Sequence, residues 1–329
     1  MSGTKVDKIM NSRIDRKRIV IFVAITYGIT IALALVIFFN GGLYVSYPFE
    51  KTHLASILLA ATMFAPAVGN IATRLITREG WSDTFLRPNL RRGWPFYLAA
   101  WLLPLVVTIV GGAIYYLLFP GKFDLSMPFA REMGLPVPSG TVPWPFVTRE
   151  ILDYLGTAPI VMFLMLGEEF GWRAYLLPKL MPLGGRKAVL LVGAIWGMFH
   201  WPAIFMGYEY GFGYWGAPVI GPLLFVVFCC FLSAFLAWVT LRSGSVWPAA
   251  IGHGVGNTSC MLMAYFLRGE MDRLIGPWTW GVVGCLGWAL VTLLIFLSPR
   301  ALATVDTAVS GNPRAVKKAA GQAKLGTTS

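Results

Sequence analysis

Charge is scarce in this chain. Asp, Glu, Lys and Arg make up 13% of its 329 residues, against about 25% in a typical soluble domain. With 57% hydrophobic residues and a mean hydropathy of +0.67, that shortage argues against one or two soluble domains. Acidic groups are scarcer still: 15 Asp and Glu face 27 Lys and Arg, a net charge of +12. Such an excess suits a nucleic-acid binder, but here the basic residues fall at the two ends and between apolar runs. That is the pattern of a membrane protein oriented by its loops, with no nucleic-acid partner. The four cysteines, Cys229, Cys230, Cys260 and Cys285, all lie inside apolar segments without a CxxC pair, and read as buried small hydrophobes. No HExxH occurs, and no internal repeat marks an inverted-repeat transporter. The first apolar run lacks a small-residue cleavage site and is too long for a leader peptide, so it is expected to stay as a transmembrane helix.

A membrane-crossing helix needs about 20 apolar residues. The chain offers eight candidates, at roughly 19–39, 54–73, 94–118, 157–180, 188–206, 217–241, 245–266 and 278–298. The expected fold is therefore all-α, a polytopic membrane helix bundle of about eight spans. Pro66 and Pro104 are expected to kink the second and third. Residues 1–18 read as a basic cytoplasmic segment, 19–300 as the helical domain with its core at about 150–266, and 301–329 as a disordered cytoplasmic tail. Proline-rich residues 119–147 read as an irregular loop. Lys and Arg alternate between the connections: six before the first helix, one after it, five at and after the end of the second, three in the long loop after the third, three around the end of the fourth, none after the fifth and Arg242 after the sixth. The loop after the seventh, with Arg268 and Arg273 beside Glu270 and Asp272, is ambiguous. An integral multi-pass protein with both termini cytoplasmic satisfies that bias.

Ionisable groups inside spans are costly and mark function. Helix 4 carries Glu168, Glu169 and Arg173. Glu169 and Arg173 are spaced i,i+4, share a face and can pair. Glu168 points about 100° away; a buried carboxylate without its own cation suits a general acid or base. The alternative is that all three form one helix-locking network. Helix 5 carries Trp196 and His200, and helix 7 carries His253 and Asn257, again i,i+4. His53, the third histidine, reads as interfacial. At 1.5 Å per residue, His200 and Glu168 lie about 18 Å from the cytoplasmic ends of their helices, and His253 about 12 Å. A shared cavity opening toward the cytoplasm is the cheapest way to solvate groups at that depth.

At these residues the chain resembles the CAAX prenyl endopeptidases, also called the CPBP or ABI family of intramembrane proteases. The family pattern is EExxxR, then an aromatic residue four positions before a His, then Hxxx(Asn/Asp). Here it reads Glu168-Glu169-Phe170-Gly171-Trp172-Arg173, Trp196 to His200, and His253 to Asn257. The second motif more often begins with Phe, and Trp196 is expected only to pack. The resemblance spans about 160–260 and implies a glutamic, metal-independent endopeptidase with no cofactor. Glu168 and His200 would activate water, and His253 and Asn257 would stabilise the oxyanion. Glu169 and Arg173 would hold the site and orient substrate. It also implies a peptide or protein substrate in the bilayer. In eukaryotic members this is a prenylated CAAX protein cut after its lipidated cysteine, whereas several prokaryotic members are linked to bacteriocin processing or immunity.

Other readings stay open on the residues alone. Two His and a Glu could make a three-ligand zinc site. Buried Glu and His could relay protons in a transporter. The same fold could serve as a non-catalytic immunity protein.

Overall fold

The structure, a computed structural model, describes residues 14–43, 53–138 and 143–302. Among these residues there is no named strand, only an isolated bridge between Phe123 and Leu267. The first apolar run is helix α1, Arg16–Phe39, whose Asp15 side chain caps the Arg18 N–H. Next come α2, His53–Thr62, and α3, Ala65–Ile76. They are bent 46° at the break between them. Pro66 sits in the first turn of α3, where its missing N–H costs nothing, and this is the kink its position suggests. Pro104, in contrast, lies inside a continuous helix α4, Leu90–Leu118. After a short α5, Pro128–Glu132, helix α6 runs from Trp144 to Gly171. It continues through a π turn, Trp172–Leu176, into α7, Leu177–Leu180. Then follow α8, Gly185–Phe199, the short α9, Trp201–Ile204, and α10, Ile220–Ser243. Last come α11, Trp247–Ser259, and α12, Leu286–Leu297.

Every apolar run expected to cross the membrane contains a helix. Among the described residues, five helices are long and apolar enough to span a bilayer, or six if the bent pair is one span. The seventh and eighth runs differ from expectation. The α-helix α11 ends at Ser259 and gives way to a 3-10 turn, Leu262–Phe266. Residues 278–285 form turns, and α12 has 12 residues. Glycines explain the second case: a Cβ on Gly284 would lie 1.9 Å from the Trp278 carbonyl oxygen, so the chain folds back on itself there. The described part of 119–147 is also more regular than expected, with α5 at Pro128–Glu132 and α6 beginning at Trp144 and not near 157. The expectations for 1–13, for 303–329 and for the His53 side chain lie outside the described residues.

Side chains facing outward are strongly apolar, such as Phe38 on α1, Leu117 on α4, Ile160 on α6 and Leu297 on α12, all more than half exposed. A surface of that kind suits lipid and not water. The connections gather on two faces. On one, Arg18 pairs with Glu79 (3.3 Å), Lys179 pairs with the same carboxylate, and Asn89 Nδ2 donates to the Gly244 carbonyl (2.8 Å). On the other, Lys122 Nζ donates to the Glu270 carbonyl (2.9 Å), and the Tyr210 hydroxyl donates to that of Trp280 (3.0 Å). We term these the basic face and the opposite face.

Helix α8 packs chiefly on α10, and α11 packs between α4 and α6. The first contact depends on Gly193 and Gly197, a small-xxx-small pair that lets two backbones approach. A Cβ on Gly193 would come within 2.5 Å of Cys230 Cα, and one on Gly197 within 2.6 Å of Val226 Cα. Gly197→Leu is therefore expected to push α8 off α10 and cost about 1–3 kcal/mol or more through overpacking. A drop in folded yield and in detergent melting temperature would show it; an unchanged melt would refute the tight contact.

Candidate active site

The site begins with a constraint on α6. Two adjacent carboxylates, Glu168 and Glu169, are both buried, at 3% and 0% exposure. A buried charge is tolerated only when paired and hydrogen-bonded. Glu169 is held from two sides: Arg173 Nη1 donates to its Oε1 (3.0 Å), and His253 Nδ1 donates to the same oxygen (2.9 Å). The Glu169–Arg173 pair is the one the i,i+4 spacing suggests, and His253 adds a bond from α11. Arg173, itself fully buried, lies over the Trp196 ring, 4.3 Å from its centroid. One carboxylate thus ties α6, the π turn, α8 and α11 together.

Glu168 turns the other way. Its Oε2 accepts from the indole N–H of Trp196 (2.6 Å) and from that of Trp172 (3.3 Å). No described cation pairs with it, and it lines a cavity of about 500 Å³. Sequence reasoning missed the part played by Trp196. A packing role was expected, yet its indole donates to Glu168, its ring face carries Arg173, and its edge meets His253 at 5.1 Å. The departure from Phe was the available signal, since Phe offers a ring but no N–H.

His200 ends α8, where its Nδ1 donates to the Trp196 carbonyl (2.9 Å). That bond leaves Nε2 with the lone pair, ready to accept a proton or orient a water. The ring leans on Phe225, 4.9 Å between centroids. Asn257 holds only a weak contact, from Nδ2 to Met165 Sδ at 3.3 Å, so its amide has donor capacity to spare. Glu168, His200, His253 and Asn257 all line the one cavity, while Glu169 and Arg173 lie behind it.

The local fold makes this possible. Gly167 and Gly171 flank the carboxylates and lie against the break between α2 and α3: a Cβ on Gly171 would come within 2.3 Å of Pro66 Cβ. The π turn follows directly, a feature common at functional sites. Asn70 of α3 reaches across and donates to the Phe170 carbonyl (2.8 Å). Arg74, one turn on, donates to Asn70 Oδ1 (2.7 Å).

The direction of the cavity corrects one expectation. Its lining belongs to the far ends of α1, α8 and α11, the near ends of α2 and α10, and the connections of the opposite face. It therefore does not open toward the basic face. The counting of residue depth located the polar groups but carried no information on which side was filled by side chains.

Metal chemistry requires ligands that converge. Among the described residues, no three His, Cys, Asp or Glu side chains cluster to hold an ion. The His253 Nδ1 is taken by Glu169 and the His200 Nδ1 by a carbonyl. Those bonds leave each Nε2 lone pair free, as in the second shell of metal-bound histidines; what the described residues lack is a third converging ligand.

Residues 151–259 match the family model described as type II CAAX prenyl endopeptidase Rce1-like. The matched segment runs from within α6 to the end of α11 and contains all three motifs, with Glu168, Glu169, Arg173, Trp196, His200, His253 and Asn257. The chain is similar to that family over this segment, in agreement with the resemblance read from its motifs. No curated protein matches the chain.

Arg173→Met should leave Glu169 with only His253 as partner. Breaking a buried pair from one side costs about 3–5 kcal/mol, so folded yield and melting temperature in detergent should fall sharply. A variant as stable as the parent would remove Arg173 from the structural role assigned above.

Proposed function

We propose that this protein is an intramembrane endopeptidase that hydrolyses a peptide bond with water activated by Glu168 and His200. One observation carries the reading: four chemistry-bearing side chains from three helices line one cavity, with a buried ion pair behind them. In this reading Glu168 and the Nε2 of His200 hold the attacking water. As its oxygen bonds to the scissile carbonyl carbon, the water proton passes to this pair, acting as general base. The carbonyl oxygen becomes an oxyanion, stabilised by hydrogen bonds from Asn257 Nδ2 and from His253. His253 Nδ1–H is spent on Glu169. To donate from Nε2 as well, its ring must carry both protons, with Nδ1–H still given to the Glu169 oxygen it shares with Arg173. Collapse of the tetrahedral adduct breaks the C–N bond, and the stored proton goes to the leaving amine.

Glutamic rather than metal-dependent chemistry is part of this proposal, supported by the divided orientation of the two glutamates. So is the assignment of Glu169 and Arg173 to support, with Arg173 available to orient substrate.

Cleavage assays in detergent, with farnesylated and unlipidated CAAX peptides and a panel of apolar peptides, test the reading. Wild type should cut at least one peptide with EDTA present, and Glu168→Gln and His200→Ala should abolish the cut while keeping the melting temperature. Retained cleavage in both variants would defeat the assigned pair, and loss in EDTA restored by zinc would defeat the metal-free mechanism.

Trp196→Phe separates positioning from packing. It keeps a ring under Arg173 but removes the N–H that holds Glu168. A hydrogen bond to a charged group contributes about 1.5–3 kcal/mol, so kcat should fall about ten- to a hundredfold. KM and melting temperature should change little. An unchanged kcat would show that the indole only packs.

A further inference from the structure

We infer that the cavity admits its substrate from the non-cytoplasmic side of the membrane, and that this substrate is an apolar, unprenylated peptide segment. The substrate part rests on the endopeptidase reading; the sidedness does not.

The direction of the cavity follows from where its walls lie. Helices α1, α8 and α11 run from the basic face to the opposite face, and α10 runs back. Wall residues come from the last third of α1, such as Ile37, and from the end of α8 and the α9 turn, such as Ala203. On α10 they come from its first half, including Phe225 and Leu232. Beyond these the walls are Tyr208, Met271 and Arg273, in connections of the opposite face. On the other side of the site the bundle is filled. Trp172, Tyr175, Leu177, Val189, Val239 and Ala249 are all 0% exposed and lie between the glutamates and the basic face. Protein cores are packed at crystal density, so no chain can thread through that layer.

Charge then assigns the two faces. Among the described residues, 13 Lys and Arg fall on the basic side, at the start of α1, after α12 and around the connections after the second, fourth and sixth apolar runs. Besides the buried Arg173, the described basic residues of the opposite side are Lys122, Arg131, Arg149, Arg268 and Arg273. Acidic residues there, among them Asp124, Glu132, Glu270 and Asp272, offset them. Lys and Arg in short loops stay in the cytoplasm. The mouth of the cavity therefore faces away from it.

A prenylated cysteine at the C-terminus of a cytoplasmic protein would approach from the closed side. The walls suit a different substrate. Met63, Met133, Met206, Met261 and Met271 line the cavity. Flexible, polarizable methionines accommodate varied apolar side chains, as on promiscuous binding surfaces. A sequence-tolerant apolar segment of an exported or membrane-inserted polypeptide fits both the position and the lining.

The test uses the full chain in sealed vesicles of known sidedness. In a background with Cys229, Cys230, Cys260 and Cys285 replaced by Ala, single variants Met271→Cys and Lys187→Cys report the cavity and the basic face. A membrane-impermeant maleimide should label Met271→Cys only in right-side-out vesicles and Lys187→Cys only in inverted ones. An apolar reporter peptide added outside should be cut by right-side-out vesicles and not by those carrying Glu168→Gln. Labelling of Met271→Cys in inverted vesicles alone, or from neither side, would overturn the inference. Should the cysteine-free chain not fold, a tag after Ser329 gives the same answer. Added protease should remove it in inverted vesicles only, and removal in right-side-out vesicles would overturn the sidedness. Detergent exposes both faces, so cleavage there that depends on Glu168, together with reversed labelling, would sink the sidedness and leave the endopeptidase reading intact. External labelling with cleavage indifferent to Glu168 would do the opposite.

Discussion

Two adjacent carboxylates buried in an apolar bundle set the terms for everything around them. Each costs several kcal/mol to take out of water unless partners replace the lost solvation. Glu169 is satisfied by Arg173 and His253, at 3.0 and 2.9 Å. Arg173 in turn needs the face of Trp196, since its Nε and one terminal nitrogen take no protein partner. Trp196 then has its indole N–H directed at Glu168. The chain of dependence runs from one carboxylate to the other through an arginine and a tryptophan. Because helices are rigid, fixing these four side chains and His253 fixes the relative rotation of α6, α8 and α11. The result is two glutamates one residue apart in different environments, one enclosed by Arg173 and His253 and one open to a cavity.

Such an arrangement demands close backbones. Without a hydrophobic drive between helices in lipid, small residues and polar contacts must hold the bundle together. The motif helices supply both. Gly167 and Gly171 seat the carboxylates against the broken pair α2–α3, and Gly193 and Gly197 seat Trp196 and its helix against α10. Asn70 and Arg74 link α3 to the carbonyl beside the glutamates and to Asp83 in the connection that follows (2.7 Å). The break in the second apolar run is thus part of the site's support, because a straight helix would not present Met63 and Pro66 to the two glycines.

Much of this was legible in the sequence, and the reasons differ by residue. The Glu169–Arg173 pair follows from helical spacing, and the opposite aim of Glu168 follows from a rotation of about 100° per residue. Long spans such as α1, α4 and α10 follow from uninterrupted apolar runs. The bond from His253 to Glu169 did not follow, since it depends on how α11 is rotated against α6, and periodicity within one helix says nothing about that. Trp196 was read as packing because its donor matters only once an acceptor 28 residues away is known. The short last helix was hidden because turns built from Gly276, Gly281 and Gly284 among tryptophans have the hydropathy of a span. The early start of α6 was hidden by the prolines before it: Pro145 sits in the helix's first turn, where proline is at home.

The same difference between local and collective information separates reaction from substrate. The proposed chemistry resides in six side chains within a few turns of each other, and it would be the same whichever side of the membrane the cavity faced. The side is set elsewhere, by lysines and arginines in distant connections and by the aromatic and aliphatic layer that fills one half of the bundle. Neither touches the glutamates. A motif match therefore constrains bond-breaking far more tightly than it constrains what is cut. A fold of this kind could keep its catalytic residues unchanged while a redistribution of loop charge turned it toward a new pool of substrates. In this chain the charge and the packing agree with each other: the face that holds the basic residues is the face closed by the core. An access route from the basic face would require both to be rebuilt, whereas a change of peptide preference on the open side would require only a few methionines to be exchanged.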